Sequence, residues 1–103
     1  MSLAVLDRLA SCHEALIRAL DGNDLGAIEG ATLSLADAVA SARAQEDWAS
    51  GPEVRERLLS LAALAQAAQI RVNFLTDTIR RRVNAMAALR GAEPAMTYSP
   101  QGR

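Results

Sequence analysis

Apolar positions recur at steps of three and four residues through three stretches of the chain, and this spacing predicts three helices. The first covers residues 3–20, where Leu6, Leu9, His13, Leu16 and Leu20 form a stripe that Val5, Cys12 and Ile17 widen. The run Asp21-Gly22-Asn23-Asp24 stops it, with Gly22 expected at the C′ position and Asn23 or Asp24 as the next N-cap. The second runs from residue 25 to residue 46 or 48, with Leu25, Ile28, Thr32, Leu35, Val39 and Ala42 on one face. Ala49-Ser50-Gly51-Pro52 breaks the pattern again. Pro52 suits a first helical turn, and Ser50 with Glu53 has capping-box spacing. From Pro52 to Arg90 nothing interrupts a helix, and Gly91 ends it. Its expected stripe is Val54, Leu58, Leu61, Ala65, Ala68, Val72, Leu75 and Ile79, continuing through Val83, Met86 and Leu89. Glu53–Arg57 and Asp77–Arg81 stand at i,i+4 in the favourable order.

No stretch alternates as a strand would, so the expected fold is all-α: an antiparallel three-helix hairpin or bundle with a long third helix. Residues 1–91 form the helical domain. Residues 92–103, with Pro94 and Pro100, form a mobile tail that cannot continue the helix. Short connections make consecutive helices antiparallel neighbours. At 1.5 Å per residue the second helix is about 36 Å long and the third about 58 Å. Residues from about 77 to 90 should then overhang by roughly 20 Å. That segment carries Ile79, Val83, Met86 and Leu89 on one side, with Arg80, Arg81, Arg82 and Arg90 around it. An exposed apolar stripe marks an interaction surface, for another protein or for a second copy in a homodimer.

Composition narrows the class. A chain of 103 residues, half of them hydrophobic, holds one small domain with an affordable core. Trp48, Phe74 and Tyr98 are the only aromatics, and lysine is absent. A net charge of −1 argues against general nucleic-acid binding. Cys12 alone cannot form an internal disulfide and fits a reducing compartment. The first residues lack the basic and apolar regions of a signal peptide, and no apolar run is expected to approach the roughly 20 residues of a membrane span. A soluble, cytoplasmic protein without membrane insertion is expected.

Cys12-His13-Glu14 is the one local group with metal or nucleophile chemistry. Adjacent helical residues point about 100° apart, so the three cannot converge on one ion. His13 sits on the apolar stripe, where a histidine accepting one hydrogen bond in or beside the core is expected rather than a metal ligand or an exposed phosphotransfer group. Arg80, Arg81 and Arg82 spread around the axis and read as a solvated face, not a phosphate patch. No glycine-rich phosphate loop, nucleophile elbow or carboxylate pair is present. Neither an enzyme nor a cofactor or metal is expected.

Within Gln69-Ile70-Arg71-Val72-Asn73-Phe74-Leu75, the residues Gln69, Asn73 and Leu75 lie on a long last helix, and a tail Thr97-Tyr98-Ser99-Pro100-Gln101-Gly102 follows. This part of the chain resembles the FlgN-type flagellar secretion chaperones, whose tail ends in Tyr-Gly-x-x-Gly; position 99 here is Ser. The turn at residues 20–24 is similar to the family's first inter-helix break. The resemblance implies an export chaperone that binds hook–filament junction proteins and delivers them to the flagellar export gate. The cargo is expected along the apolar stripe of the third helix, through Val72, Leu75, Ile79, Val83, Met86 and Leu89, while the resemblance implies docking to the gate through Tyr98 and family-motif roles for Asn73 and Gly102. The alternatives are a helical signalling module of the phosphotransfer type and a coiled-coil dimer that scaffolds.

Overall fold

The computed structural model describes residues 2–46 and 50–91, and these form three helices with no strand among them. Helix α1 is Ser2–Gly22, α2 is Leu25–Ala44 and α3 is Pro52–Gly91. The fold is all-α, as the apolar spacing predicts. Helix α2 stops two residues short of the expected residue 46, because Gln45 turns to an extended conformation at ψ 123° with its N–H on the Ala42 carbonyl; the expected tail, and the Trp48 alternative for the end of α2, lie outside the described residues.

The breaks between helices have identifiable causes, and two differ from expectation. Asn23, not Gly22, takes the left-handed C′ position, with φ 53°. Its N–H donates to the Leu20 carbonyl at 3.1 Å, while the Asp24 N–H reaches the Ala19 carbonyl at 3.4 Å. Those two bonds are the Schellman closure, and asparagine is the one common non-glycine residue that tolerates the conformation. Gly22 therefore stays inside α1. Asp24 caps α2, its side chain accepting from the Ala27 N–H at 3.2 Å. At the start of α3, the Arg55 N–H donates to the Gly51 carbonyl at 3.0 Å, so Gly51 is the N-cap and Pro52 the first helical residue. The expected Ser50–Glu53 capping box is thus out of register by one position. Gly51 has φ 136°, a conformation that L side chains rarely adopt.

The chain divides into two compact units, Met1–Val72 and Asn73–Arg103. In the first, the core is Leu6, Leu9 and Ala38, with Val5, Cys12, Leu35, Val39, Ala42, Val54 and Leu61 packed on it. Leu16, Ala19, Leu20 and Ala68 are buried as well. The stripe of α1 is as expected, with His13 half-buried. That of α2 is rotated: Ala31 and Ala38 turn inward, while Thr32 and Leu25 face solvent, Leu25 at 70 % exposure. The helix packs through small side chains, which let backbones approach closely.

Side-chain pairs fix the directions. Arg8 on α1 donates to Asp37 at 2.7 Å and to Ser41 at 3.3 Å, and the Cys12 thiol points to the Ser34 carbonyl at 3.8 Å. Partner numbers fall as α1 numbers rise, so α1 and α2 are antiparallel. Arg57 pairs with Asp7 and Arg71 with Asp21, each at 2.8 Å. Here both numbers rise together, so α1 and the first part of α3 are parallel: up, down, up.

These pairs also correct the expected face of α3. The half-buried and buried line is Val54, Arg57, Leu61, Leu64, Ala68 and Arg71, not the line through Leu58, Ala65 and Val72. Arg57 and Arg71 occupy seam positions because their stems lie along apolar surface while their heads reach carboxylates on α1. Arg57 does not close the expected bond to Glu53. Its hydrogen bond to Asp7, with that carboxylate's charge, raises its already high pKa, and Glu53 adds a lesser favourable field.

Candidate protein-binding surface

The inward turn of Arg57 and Arg71 leaves the other flank of the same helix uncovered. Leu58, at 49 % exposure, and Val72, at 36 %, mark that flank in the first unit, with the exposed Ala65 between them at seven-residue steps. Leu59 and Ile70 are exposed too. No charged residue occurs from position 58 to position 70. Helix α3 also holds an 18-residue stretch of mean hydropathy 1.3, enough by length and composition to cross a membrane. That corrects the expectation that no apolar run approaches a span. Only 6 % of that stretch is buried in the protein.

In the second unit the described residues continue as helix to Gly91. Ile79, Val83 and Met86 are exposed at 50, 56 and 61 %. Their steps of four and three place them within about 60° of one line along the helix. Leu89, 77 % exposed, stands about 90° off that line. Leu75 is half-buried. Phe74, 69 % exposed, lies on roughly the opposite face, outside the expected stripe. Asp77 and Arg81 form the expected i,i+4 pair at 2.7 Å, also on the opposite side. Residues 73–91 carry Arg80, Arg81, Arg82 and Arg90 against Asp77 alone. Apart from Arg81, none of these arginines has an ion-pair partner among the described residues.

Among the described residues eleven large hydrophobic side chains are exposed, and nine of them are on α3. This concentration, rather than any pocket, is what distinguishes the surface. The concavity between α1 and α2 is lined mostly by small side chains, with Arg18, Ser34 and Asp24, and the Asp24 carboxylate is already engaged in the cap of α2. Among the described residues no group of three His, Cys, Asp or Glu could hold a metal ion. His13 is half-buried, and its Nδ1–H donates to the Leu9 carbonyl one turn back at 2.9 Å, whereas the expected bond there is an accepted one. Asn73 and Gln69 lie on α3 and are exposed. Tyr98 and Gly102 lie outside the described residues.

The missed residues Leu58, Leu59 and Ile70 had a signal in the sequence. A charge-free run of this length, on a helix one side of which already suffices for packing, exceeds what a three-helix core can bury. No protein-family model matches the chain, and no curated protein and no solved structure is significantly similar to it.

Proposed function

We propose that the protein binds an amphipathic helix of another protein along α3, as a cytoplasmic export chaperone of the FlgN type. The single observation that supports this most is the placement of nine exposed large hydrophobics on one helix. A monomer in water rarely gathers so many exposed large apolar side chains on one helix without a partner. A helix laid against it buries a seam on each side, the helix-in-groove mode of recognition. The resemblance of Gln69, Asn73, Leu75 and the tail to the flagellar chaperones supplies the finer reading. In it the cargo is a hook–filament junction protein, Val72, Leu75, Ile79, Val83, Met86 and Leu89 hold it, and Tyr98 docks to the export gate. Such a protein catalyses nothing and needs no cofactor.

The test uses the full chain and the C-terminal helical segment of a junction protein, with affinity measured by calorimetry. Val83→Gln with Met86→Gln removes apolar surface while preserving helix propensity and charge. Binding should fall at least tenfold with helix content unchanged. Unaltered affinity would refute the placement. In the same system Tyr98→Ala should leave cargo affinity within a few-fold. It should weaken binding to the purified gate domain by about 2 kcal/mol or more, the scale of an aromatic hot spot.

A further inference from the structure

Reading α3 as a protein-binding surface, we infer that the helix docking on residues 73–91 is acidic along both of its flanks. The inference starts from where the arginines stand around the seam. At 100° per residue, Arg80 lies about 90° to one side of the line through Ile79, Val83 and Met86, and Arg82 about 70° to the other. Those are the flanking positions that, in paired helices, face the partner's flanks and choose it by charge. Neither arginine has an ion-pair partner among the described residues, and both are exposed. Arg90 prolongs the positive charge to the end of the helix. The excess is local: the chain carries a net −1, yet this segment has four arginines and one aspartate.

Three occupants compete for such a surface. A second copy docking through the same segment, parallel or antiparallel, would set arginine flanks against arginine flanks, an arrangement that specific helix pairs use to reject partners. An anionic lipid surface suits a helix whose cations lie opposite its apolar face. Here the opposite face carries Phe74 and the closed Asp77–Arg81 pair, whereas Arg80 and Arg82 flank the seam and Arg90 lies almost in line with it. An amphipathic helix with Glu or Asp on both sides of its seam satisfies the apolar line and the flanks together. At 1.5 Å per residue the segment accommodates about 28 Å of such a helix.

The experiment uses the full chain and two synthetic helical peptides that share one Leu/Ile seam. One bears Glu at all flanking positions and the other bears Gln. Affinities are read by fluorescence anisotropy at low salt and near 1 M salt, where screening shortens charge interactions to about 3 Å. The Glu peptide should bind at least about tenfold tighter at low salt, the scale of several flanking charge pairs acting together. The difference should collapse at high salt. Arg80→Gln with Arg82→Gln should erase the preference and leave affinity for the Gln peptide unchanged. Equal binding of both peptides would overturn the acidic-partner inference while leaving α3 a protein-binding surface. Failure of both peptides to bind would overturn the surface as well. Binding to phosphatidylserine vesicles in place of either peptide would assign the segment to a lipid, against the inference. So would sedimentation as a dimer that Met86→Gln dissociates, which would give it to a second copy.

Discussion

Two methionine- and leucine-to-alanine changes, one in the core and one on the surface of α3, separate the packing account given above from its main rival. Leu6 is 3 % exposed and sits at the centre of the Leu6–Leu9–Ala38 cluster. Truncating it to Ala removes three carbons, about 2.4 kcal/mol of transfer free energy at roughly 0.8 per buried carbon. The hole left between α1 and α2 raises the cost to about 3–5 kcal/mol. A domain of this size has a total stability of only about 4–10 kcal/mol, so Leu6→Ala should leave the first unit close to unfolding. The midpoint of thermal unfolding should fall by at least about 12 °C, at roughly 4 °C or more per kcal/mol. Met86 is 61 % exposed, and Met86→Ala should change stability by no more than about 0.5 kcal/mol. Urea unfolding followed by far-ultraviolet circular dichroism, repeated over a range of protein concentrations, reads both. If Met86→Ala costs as much as Leu6→Ala, and the midpoint rises with concentration, then the α3 stripe is buried in a self-associated form and the account of a free surface is wrong.

Two further substitutions probe the breaks between helices. Asp24→Ala removes the bond to the Ala27 N–H and should lower stability by about 1 kcal/mol; an unshifted urea midpoint would mean the cap contributes nothing. Gly51→Ala places a Cβ in open space, with nothing within 4 Å, yet forces alanine to φ near 136°. The whole cost is therefore backbone strain, about 1–3 kcal/mol, and a variant as stable as the parent would show that the turn relaxes.

Much of the fold was legible because helix-forming stripes need only local spacing. The stripe of α1, the existence of the two breaks and the place of Pro52 as first residue of α3 all follow from residues a few positions apart. The failures share a physical origin. Arg57 and Arg71 line the seam of α3, but a reading that assigns charge to the outside discards them; their partners Asp7 and Asp21 stand 50 residues away. With those two places filled by arginine, Leu58 and Val72 moved outward, and the apolar surface became wider than the stripe predicts. The turn after α1 was misplaced by one residue because Gly22 has the stronger intrinsic claim to a left-handed position, whereas the paired bonds to Ala19 and Leu20 select Asn23. The exposure of Ile79, Val83, Met86 and Leu89 matches the expectation from helix lengths, but which molecule covers them depends on chemistry outside the chain.

The pairs Asp7–Arg57 and Asp21–Arg71 also act as a two-toothed ratchet between parallel helices. Both teeth are spaced by fourteen residues, two heptads, on each helix. Glu14 falls midway between the two aspartates, while the matching place on α3 is Leu64. A slip of α3 by one heptad would therefore swap two engaged teeth for one, Arg57 or Arg71 meeting Glu14. The registers that would engage an arginine are thus separated by about 10 Å, the rise of seven helical residues. The observed register is the only one in which both arginines are held. Because the two carboxylates are exposed and the arginine heads partly so, salt weakens these teeth, and ionic strength tunes the polar share of the indexing between α1 and the first part of α3 while the apolar packing persists.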